Sequence, residues 1–351
     1  MDRRFAMVPG DGIGVDVTKE AVKVLTAASN VFGFGLTLTH FNYGATHYLE
    51  TGETLPEGTL ELWSGFDAIF MGAFGDPRVP DMRHAADILL GTRFKMDLYA
   101  NVRPVRCLAE RLCPLRNFTA GDVDFVVFRE NTEGAYAGMG GIFKKGTADE
   151  IGIQEDVNTR KGVERIVRAA FAFAERTGRR KVTMSDKSNA LRHAHDIWQR
   201  VFAEVAREYP AIQSNHLYVD ALTMQLIKDP RQFDVIVTCN MFGDIVTDLG
   251  AALQGGLGMA ASGNIHPGRT SMFEPVHGSA PKYAGTDTAN PFGAILTAAM
   301  MLEHTGIADA AHAIEAAVVS CLEAHECTAD VGGSLGTTAA ADAVVARMQA
   351  A

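Results

Sequence analysis

The chain has no pair of cysteines at CxxC spacing. Its five, Cys107, Cys113, Cys239, Cys321 and Cys327, are scattered and odd in number. Neither a thiolate zinc site nor a disulfide framework is indicated, and reduced thiols in a cytoplasmic protein are the expectation. No stretch approaches the roughly 18 uninterrupted apolar residues of a membrane span. The opening MDRRFAMVPGDGIG has no apolar run of the length a secretion signal needs. An excess of positive charge is missing too: 32 Lys and Arg stand against 42 Asp and Glu, for a formal net charge of −10. That balance argues against a nucleic-acid partner, and a small anionic substrate would need its own local basic pocket. Nor is there a Pro/Ser-rich linker, a low-complexity tract or a fixed-period repeat. Any two domains must therefore be interleaved. What remains is the composition of a folded globular chain, 351 residues with 47% hydrophobic and 21% charged.

Apolar periodicity organises that chain into strands alternating with helices. RFAMVP reads as a strand, GDGIG as a turn, and VDVTKEAVKVLTAAS as an amphipathic helix. LTLTHFN alternates like a strand, GTLELWSGF is helical, and DAIFMGAFG is a short apolar strand. DLYANVRPVRCL and DFVVFREN are strand-like, followed by a helix at about 159–177, the strand RKVTMSD and a helix at about 193–208. HLYVDAL and FDVIVTCNMFGD each read as a strand running into a helix start, and Ala-rich helix dominates after residue 290. The pattern predicts an α/β architecture with a largely parallel sheet. GDGIG is not a dinucleotide fingerprint, because Val15 stands where the last glycine of GxGxxG belongs. A tight glycine turn is the expectation there, and a conventional Rossmann domain is not.

Three aspartates have the chemistry of a hard-cation site: Asp220 in YVDAL, and Asp244 with Asp248 in NMFGDIVTDLG. The last pair lies four apart at the start of an expected helix, so both carboxylates share a face. A third carboxylate converging on them would complete an all-oxygen site for Mg²⁺ or Mn²⁺. The alternative is an Asp-rich first helical turn favoured by the helix dipole. Arginines Arg93, Arg103 and Arg129 suit a di- or tricarboxylate, because guanidinium forks bind carboxylates bidentately. Tyr136, Lys187 and Asn189 stand in neighbouring motifs and include two proton-transfer groups. Each residue alone would be unremarkable on a surface.

Seven segments in order, PGDGIG, ANVRP, FRENTEG, SDKSN, FGDIVTDLGA, FEPVHGSAP and ANPFGAIL, resemble the β-decarboxylating dehydrogenases of the isocitrate/isopropylmalate family over essentially the whole chain. The resemblance implies a two-domain α/β fold of that family's type, with interleaved domains around a mixed sheet. Residues 1–100 and 255–351 would form a large cofactor-binding domain. Residues 101–254 would form a small domain with the catalytic lysine, metal ligands and dimer interface. A homodimer with shared active sites is implied, Lys187 and Asp220 coming from the partner subunit. Carried over by position, Arg93, Arg103 and Arg129 are the malate clamps, Asp220, Asp244 and Asp248 the metal ligands, Lys187 the base and Tyr136 the acid. The loop FEPVHGSAPKYAG with the later Asn implies adenosine contacts from Glu274, His277, Gly278, Ser279, Ala280, Lys282, Tyr283 and Asn290.

Family members differ in the 3-substituent of the malate, read by the helix before Arg93. Here Leu89 and Leu90 stand four and three residues before that arginine. An alkyl group is the better guest, at about 0.8 kcal/mol per buried CH₂. Asp87 is expected to repel an additional carboxylate. These residues point to 3-isopropylmalate, the leucine-pathway substrate, with D-malate or tartrate next, then isocitrate or homoisocitrate. Ala86 departs from the Glu many isopropylmalate enzymes carry there. Against this, Leu89 and Leu90 could simply bury into a core. For the cofactor, Lys282 and Tyr283 resemble NADP enzymes while ADVGGSLGTT resembles NAD enzymes, so NAD and NADP both stand. Other classes are a silent regulatory paralogue and a metal-dependent hydrolase. The first would ordinarily have lost one of these residues, and the second leaves the arginines unused.

Overall fold

The structure, a computed structural model, describes residues 2–350. Its contacts divide into two compact units, one holding the chain up to Leu98, Arg106–Val123 and everything from Ala251, the other Tyr99–Val105 and Asp124–Gly250. The first stretch runs β1 (Asp2–Gly10), α1 (Ile13–Phe32), β2 (Gly35–His40), α2 (Ala45–Thr51), α3 (Thr59–Trp63), β3 (Ala68–Ala73) and α4 (Arg83–Lys95). The middle adds β4 (Ala100–Arg106), β5 (Asp124–Glu130), β6 (Gly140–Phe143), β7 (Ile151–Gln154), α5 (Arg160–Thr177), β8 (Lys181–Asp186) and α6 (Asp196–Ala206). It continues through β9 (Gln213–Tyr218), α7 (Val219–Lys228), β10 (Val235–Thr238) and α8 (Asn240–Leu253). The chain closes with β11 (Ala261–Ile265), β12 (Ser271–Pro275), α9 (Phe292–His304), α10 (Ala308–Glu323) and α11 (Thr337–Ala350).

The first unit holds strands in the order β2-β1-β3-β12-β11. Neighbours are parallel except β11, which runs antiparallel to β12, so the sheet is mixed. β3 is buried at every residue, as a strand covered on both faces must be. On one face α1, α9, α10 and α11 bury Val17, Val24, Phe292, Ile314 and Val344 with a run of alanines. Those alanines let the helices approach closely, which a core of larger residues would not. On the other face Trp63, Ile88, Leu98 and Met272 form a second cluster that seats α4. The turn after β1 places Gly12 at a φ of 55°, and a side chain there would strike the Ser279 carbonyl. That carbonyl instead accepts the Ile13 amide at 2.8 Å. The glycines thus let two loops touch, as a tight turn requires.

The second unit holds the order β4-β5-β10-β8-β9, with β5, β10, β8 and β9 parallel. Helix α5 buries Val163, Ile166, Val167, Ala170, Phe171 and Ala174 at helical spacing. Phe171 meets Phe202 of α6 at 5.5 Å and Tyr209 at 5.2 Å between ring centroids. A separate antiparallel hairpin, β6 with β7, exposes every one of its residues.

Three local expectations change. Residues 106–123, expected in the middle block, pack with the first unit: Leu108, Ala109 and Leu112 join its core, and Arg111 donates to the Leu322 and Val331 carbonyls. GTLELWSGF contributes only the five residues of α3. The helix expected from 193 starts at Asp196, with His195 just before it and no side-chain cap. HLYVDAL, read as a strand running into a helix start, is the end of β9 and the start of α7, so Asp220 stands in a first helical turn. Among the described residues no helix is long and apolar enough to cross a membrane.

Candidate active site

In the second unit a helix that starts at the end of β10 meets the last residues of β5. Asn240, Asp244 and Thr247 fall on one side of α8 because they are spaced four and three apart. Arg129 on β5 is almost completely buried, and a guanidinium in that position needs acceptors for its N–H groups. Nε and Nη2 both donate to Asn240 Oδ1, at 2.9 and 2.7 Å, and Nη1 donates to Asp244 Oδ1. Gly243 lets the arginine lie there: a Cβ at that position would fall 2.6 Å from Arg129 Cβ.

Arg103 on β4 reaches the same carboxylate. Its Nε donates to Asn101 Oδ1 at 2.8 Å, Nη1 to Thr247 Oγ1 at 2.6 Å, and Nη2 to Asp244 Oδ1 at 3.4 Å. Tyr136 donates its hydroxyl to Asp244 Oδ2 at 2.8 Å, with the Arg129 guanidinium 5.2 Å from its ring centroid. Burial alone would raise the Asp244 pKa. The charges of Arg129 and Arg103 and the Tyr136 hydrogen bond outweigh it, and the carboxyl is held below its ordinary range. Two guanidinium charges against one carboxylate leave a local surplus of positive charge, suited to an anionic substrate.

Lys187 follows β8 directly. Its Nζ donates to Asp220 Oδ1 at 2.8 Å and lies 5.7 Å from the Tyr218 ring centroid. That hydrogen bond holds the exposed Asp220 carboxyl below its ordinary range. Asn189 is exposed, as is Asp248. Asp244 and Asp248 stand in the second and third turns of α8, which removes the helix dipole as the reason for their placement. Among the described residues no three metal-ligating side chains gather, and Asp220 sits with Lys187 instead.

The first unit holds the other expected groups. Arg93 donates to Glu274 Oε1 at 2.6 Å, an oxygen that also accepts from Asn264 Nδ2 at 2.8 Å. The buried Arg93 Nε is left without an acceptor. Along α4, Leu89 packs against the Trp63 cluster while Leu90 does not, so only Leu89 serves the core. Asp87 lines a cavity with Tyr48, Glu53, Glu57 and Arg83. Six residues from Arg93 put it about 120° around the helix, on a different side from the arginine.

The loop after β12 has the features of a polar-ligand cradle. His277 Nδ1 donates to the Gly278 carbonyl at 3.0 Å, which leaves Nε2 as a buried acceptor with no partner. Burial pushes the imidazole pKa down, so the ring is held neutral. Ser279 contacts the glycine turn, and Ala280 takes a left-handed φ of 35°. Lys282 and Tyr283 are exposed, with the ammonium 4.6 Å from the ring centroid. Asn290 is engaged at both ends, donating to Asp330 Oδ2 at 3.0 Å and accepting the Phe292 amide at 2.9 Å. Asn240 and Thr247 were missed in the sequence, although their helical spacing from Asp244 was there to be read.

The family model described as isocitrate/isopropylmalate dehydrogenase matches residues 4–344. A Thermobifida fusca protein named 3-isopropylmalate dehydrogenase is 48% identical, covering 98% of this chain and 97% of its own length. A Streptomyces coelicolor protein of the same name is 46% identical over 96% of this chain and 97% of its own. Among solved structures, isocitrate dehydrogenase from Methylococcus capsulatus superposes with a TM-score of 0.90 at 38% identity, covering 99% of both chains.

Proposed function

The chain belongs to the isocitrate/isopropylmalate dehydrogenase family, and from that premise we propose that it oxidatively decarboxylates 3-isopropylmalate in the cytoplasm, using a nicotinamide and Mg²⁺ or Mn²⁺. The observation that carries the reaction class is the meeting of Arg103, Arg129 and Tyr136 on Asp244. The curated relatives' names support the substrate.

Each group then has a task. Arg103 and Arg129 hold the malate carboxylates, and Arg93 Nε, buried without an acceptor, supplies a third donor. Leu90, half-buried and outside the core cluster, faces the alkyl substituent. Asp244 and Asp248 offer carboxylate oxygens on one helix face, which fits a hard cation, with Asp220 contributed by a second copy. When bound, the cation would supply Lewis-acid polarisation of the substrate's 2-hydroxyl and the nicotinamide would supply the hydride acceptor. Lys187 takes the hydroxyl proton as general base. After the bond to CO₂ breaks, Tyr136 donates a proton to the enolate carbon that CO₂ left. Around the cofactor, His277 Nε2 offers a buried acceptor and Lys282 an exposed cation, and both NAD and NADP are candidates.

The functional unit is a homodimer in this proposal. Large apolar side chains are exposed on α7 (Met224, 71%) and α8 (Ile245, 57%), and on the β6–β7 hairpin (Phe143, 69%). Solitary exposed apolar residues are ordinary, but the hairpin groups four, Ile142, Phe143, Ile151 and Ile153, and a group of that kind supports an interface. Purified protein with Mn²⁺ and either nicotinamide should reduce the cofactor with 3-isopropylmalate in preference to D-malate, tartrate, isocitrate and homoisocitrate. No reduction with any of the five would refute the reaction class and leave a silent paralogue or a hydrolase.

A further inference from the structure

We propose that His195 and Asp156 form a positioning pair that fixes the backbone of Lys187. The inference rests on Lys187 being the general base. His195 lies in the second unit and is fully buried at the start of α6. Between Lys187 and His195 the chain folds back tightly. The Ala190 and Leu191 amides both donate to the Lys187 carbonyl, at 2.9 and 2.8 Å, and the His195 amide donates to Leu191 at 2.9 Å. The carbonyl end of Lys187 is thereby fixed.

Its amide end is fixed by the imidazole. The Lys187 N–H donates to His195 Nδ1 at 3.1 Å. An amide nitrogen can only donate, so Nδ1 carries no proton and the single ring proton sits on Nε2. Nε2 lies 3.2 Å from Asp156 Oδ2 and donates to it. Asp156 also accepts from Asn158 Nδ2 at 3.1 Å, and the His195 bond helps hold its carboxyl below the ordinary range. Phe242 packs edge-on against the imidazole at 5.6 Å between centroids. A ring held at both nitrogens and on its side has one orientation and one tautomer.

Asp156 sits in a short strap after β7 that reaches further. The Val157 carbonyl accepts the Gly134 amide at 2.7 Å, two residues before Tyr136. Asn158 Oδ1 accepts Trp198 Nε1 at 2.8 Å, anchoring the strap to α6. One segment thus holds the loop of the acid directly and the loop of the base through His195. Supporting groups of this kind keep a reacting side chain within a fraction of an ångström of its working position.

The test compares His195→Phe, which keeps a ring against Phe242 but removes the acceptor, with His195→Asn, whose Oδ1 replaces Nδ1. In His195→Phe, kcat should fall about 10- to 100-fold, the scale expected of a misplacement of about 1 Å. KM for substrate and nicotinamide should stay within about threefold, since neither is touched. His195→Asn should recover at least about a third of the lost kcat on a logarithmic scale. Unchanged kcat in His195→Phe, or no rescue by Asn, overturns the proposal.

Two readouts need no turnover. Nitrogen-15 NMR of the free wild-type protein should show His195 as the Nε2–H tautomer, and the Lys187 amide should exchange faster than wild type in His195→Phe but not in His195→Asn. A proton on Nδ1, or equal exchange in His195→Phe and wild type, overturns the pair. Absence of dehydrogenase activity in wild type would instead count against Lys187 as base, leaving these two results to stand or fall alone.

Discussion

Replacing Gly243 by alanine sets two effects of opposite sign against each other. In an exposed helix interior, Gly→Ala gains about 1 kcal/mol from restricted backbone freedom and better propensity. At this position the new methyl would lie 2.5 Å from Arg129 Cγ and 2.6 Å from its Cβ, contacts that cannot persist. Arg129 has little room to yield, since it is buried and its N–H groups are committed to Asn240 and Asp244. Overpacking of this kind costs about 1–3 kcal/mol, so the net change should be a loss of up to about 2 kcal/mol. The larger effect should be on turnover. If the guanidinium moves by about 1 Å, kcat/KM should fall about 100-fold. Gly91→Ala is the natural control, because α4 leaves open space around that position. It should gain about 0.5–1 kcal/mol. Denaturant unfolding and steady-state cofactor reduction measure both quantities. A Gly243→Ala protein that is more stable than wild type, with undiminished kcat/KM, would refute the reasoning.

Tyr136→Phe and Lys187→Ala should each lower kcat by about 10²- to 10⁴-fold, the range for loss of a general acid or base. Near-normal turnover in both would remove their assigned roles. His277 gives a pH dependence of stability. Burial lowers its folded pKa below the unfolded value of about 6.5. Its contribution is present above that value and lost as pH falls through the folded pKa. Urea midpoints should therefore decline from pH 7 toward pH 5, and His277→Asn should flatten that slope. Among the cysteines, burial pushes Cys107 and Cys321 up to about 11 and Cys239 up to about 12, with Cys113 partly exposed. A thiol reagent at pH 8 should label Cys113 well before the others, read by mass spectrometry of digested protein. Ile245→Asp on the exposed side of α8 should convert dimer to monomer in sedimentation and abolish turnover, whereas a fully active monomer would contradict the shared site.

The apolar periodicity of the chain carried most of the fold. The helix anticipated at about 159–177 is α5, Arg160–Thr177, because its buried residues recur at helical spacing and its Thr159 side chain caps the Gly162 amide. The β6–β7 hairpin escaped for the opposite reason: all its residues are exposed, so no alternation between core and solvent is written into GGIF or IGIQ. Asp220 falls where HLYVDAL was read to pass from strand to helix, in the first turn of α7. For the site, Asp244 and Asp248 were placed on one face by spacing alone. The arginine partners of Asp244 were not, because pairing Arg129 with Asp244 joins residues 115 apart in sequence. Arg93 shows the limit most clearly. Its partner, Glu274, is 181 residues away, and only folding brings the two together. His195 stayed hidden likewise, since a buried histidine looks the same in a sequence as any exposed one.

The central claim is that the arginines and Asp244 serve a malate whose 3-substituent is alkyl. Steady-state kcat/KM for 3-isopropylmalate and for isocitrate, measured in parallel with Mn²⁺ and each nicotinamide, addresses it directly. The proposal sets Leu90 beside the substituent, where each buried CH₂ would contribute about 0.8 kcal/mol and the three carbons of an isopropyl group about 2.4 kcal/mol. The account predicts at least about a 50-fold preference for 3-isopropylmalate. Isocitrate turned over as well as or better than 3-isopropylmalate would contradict it.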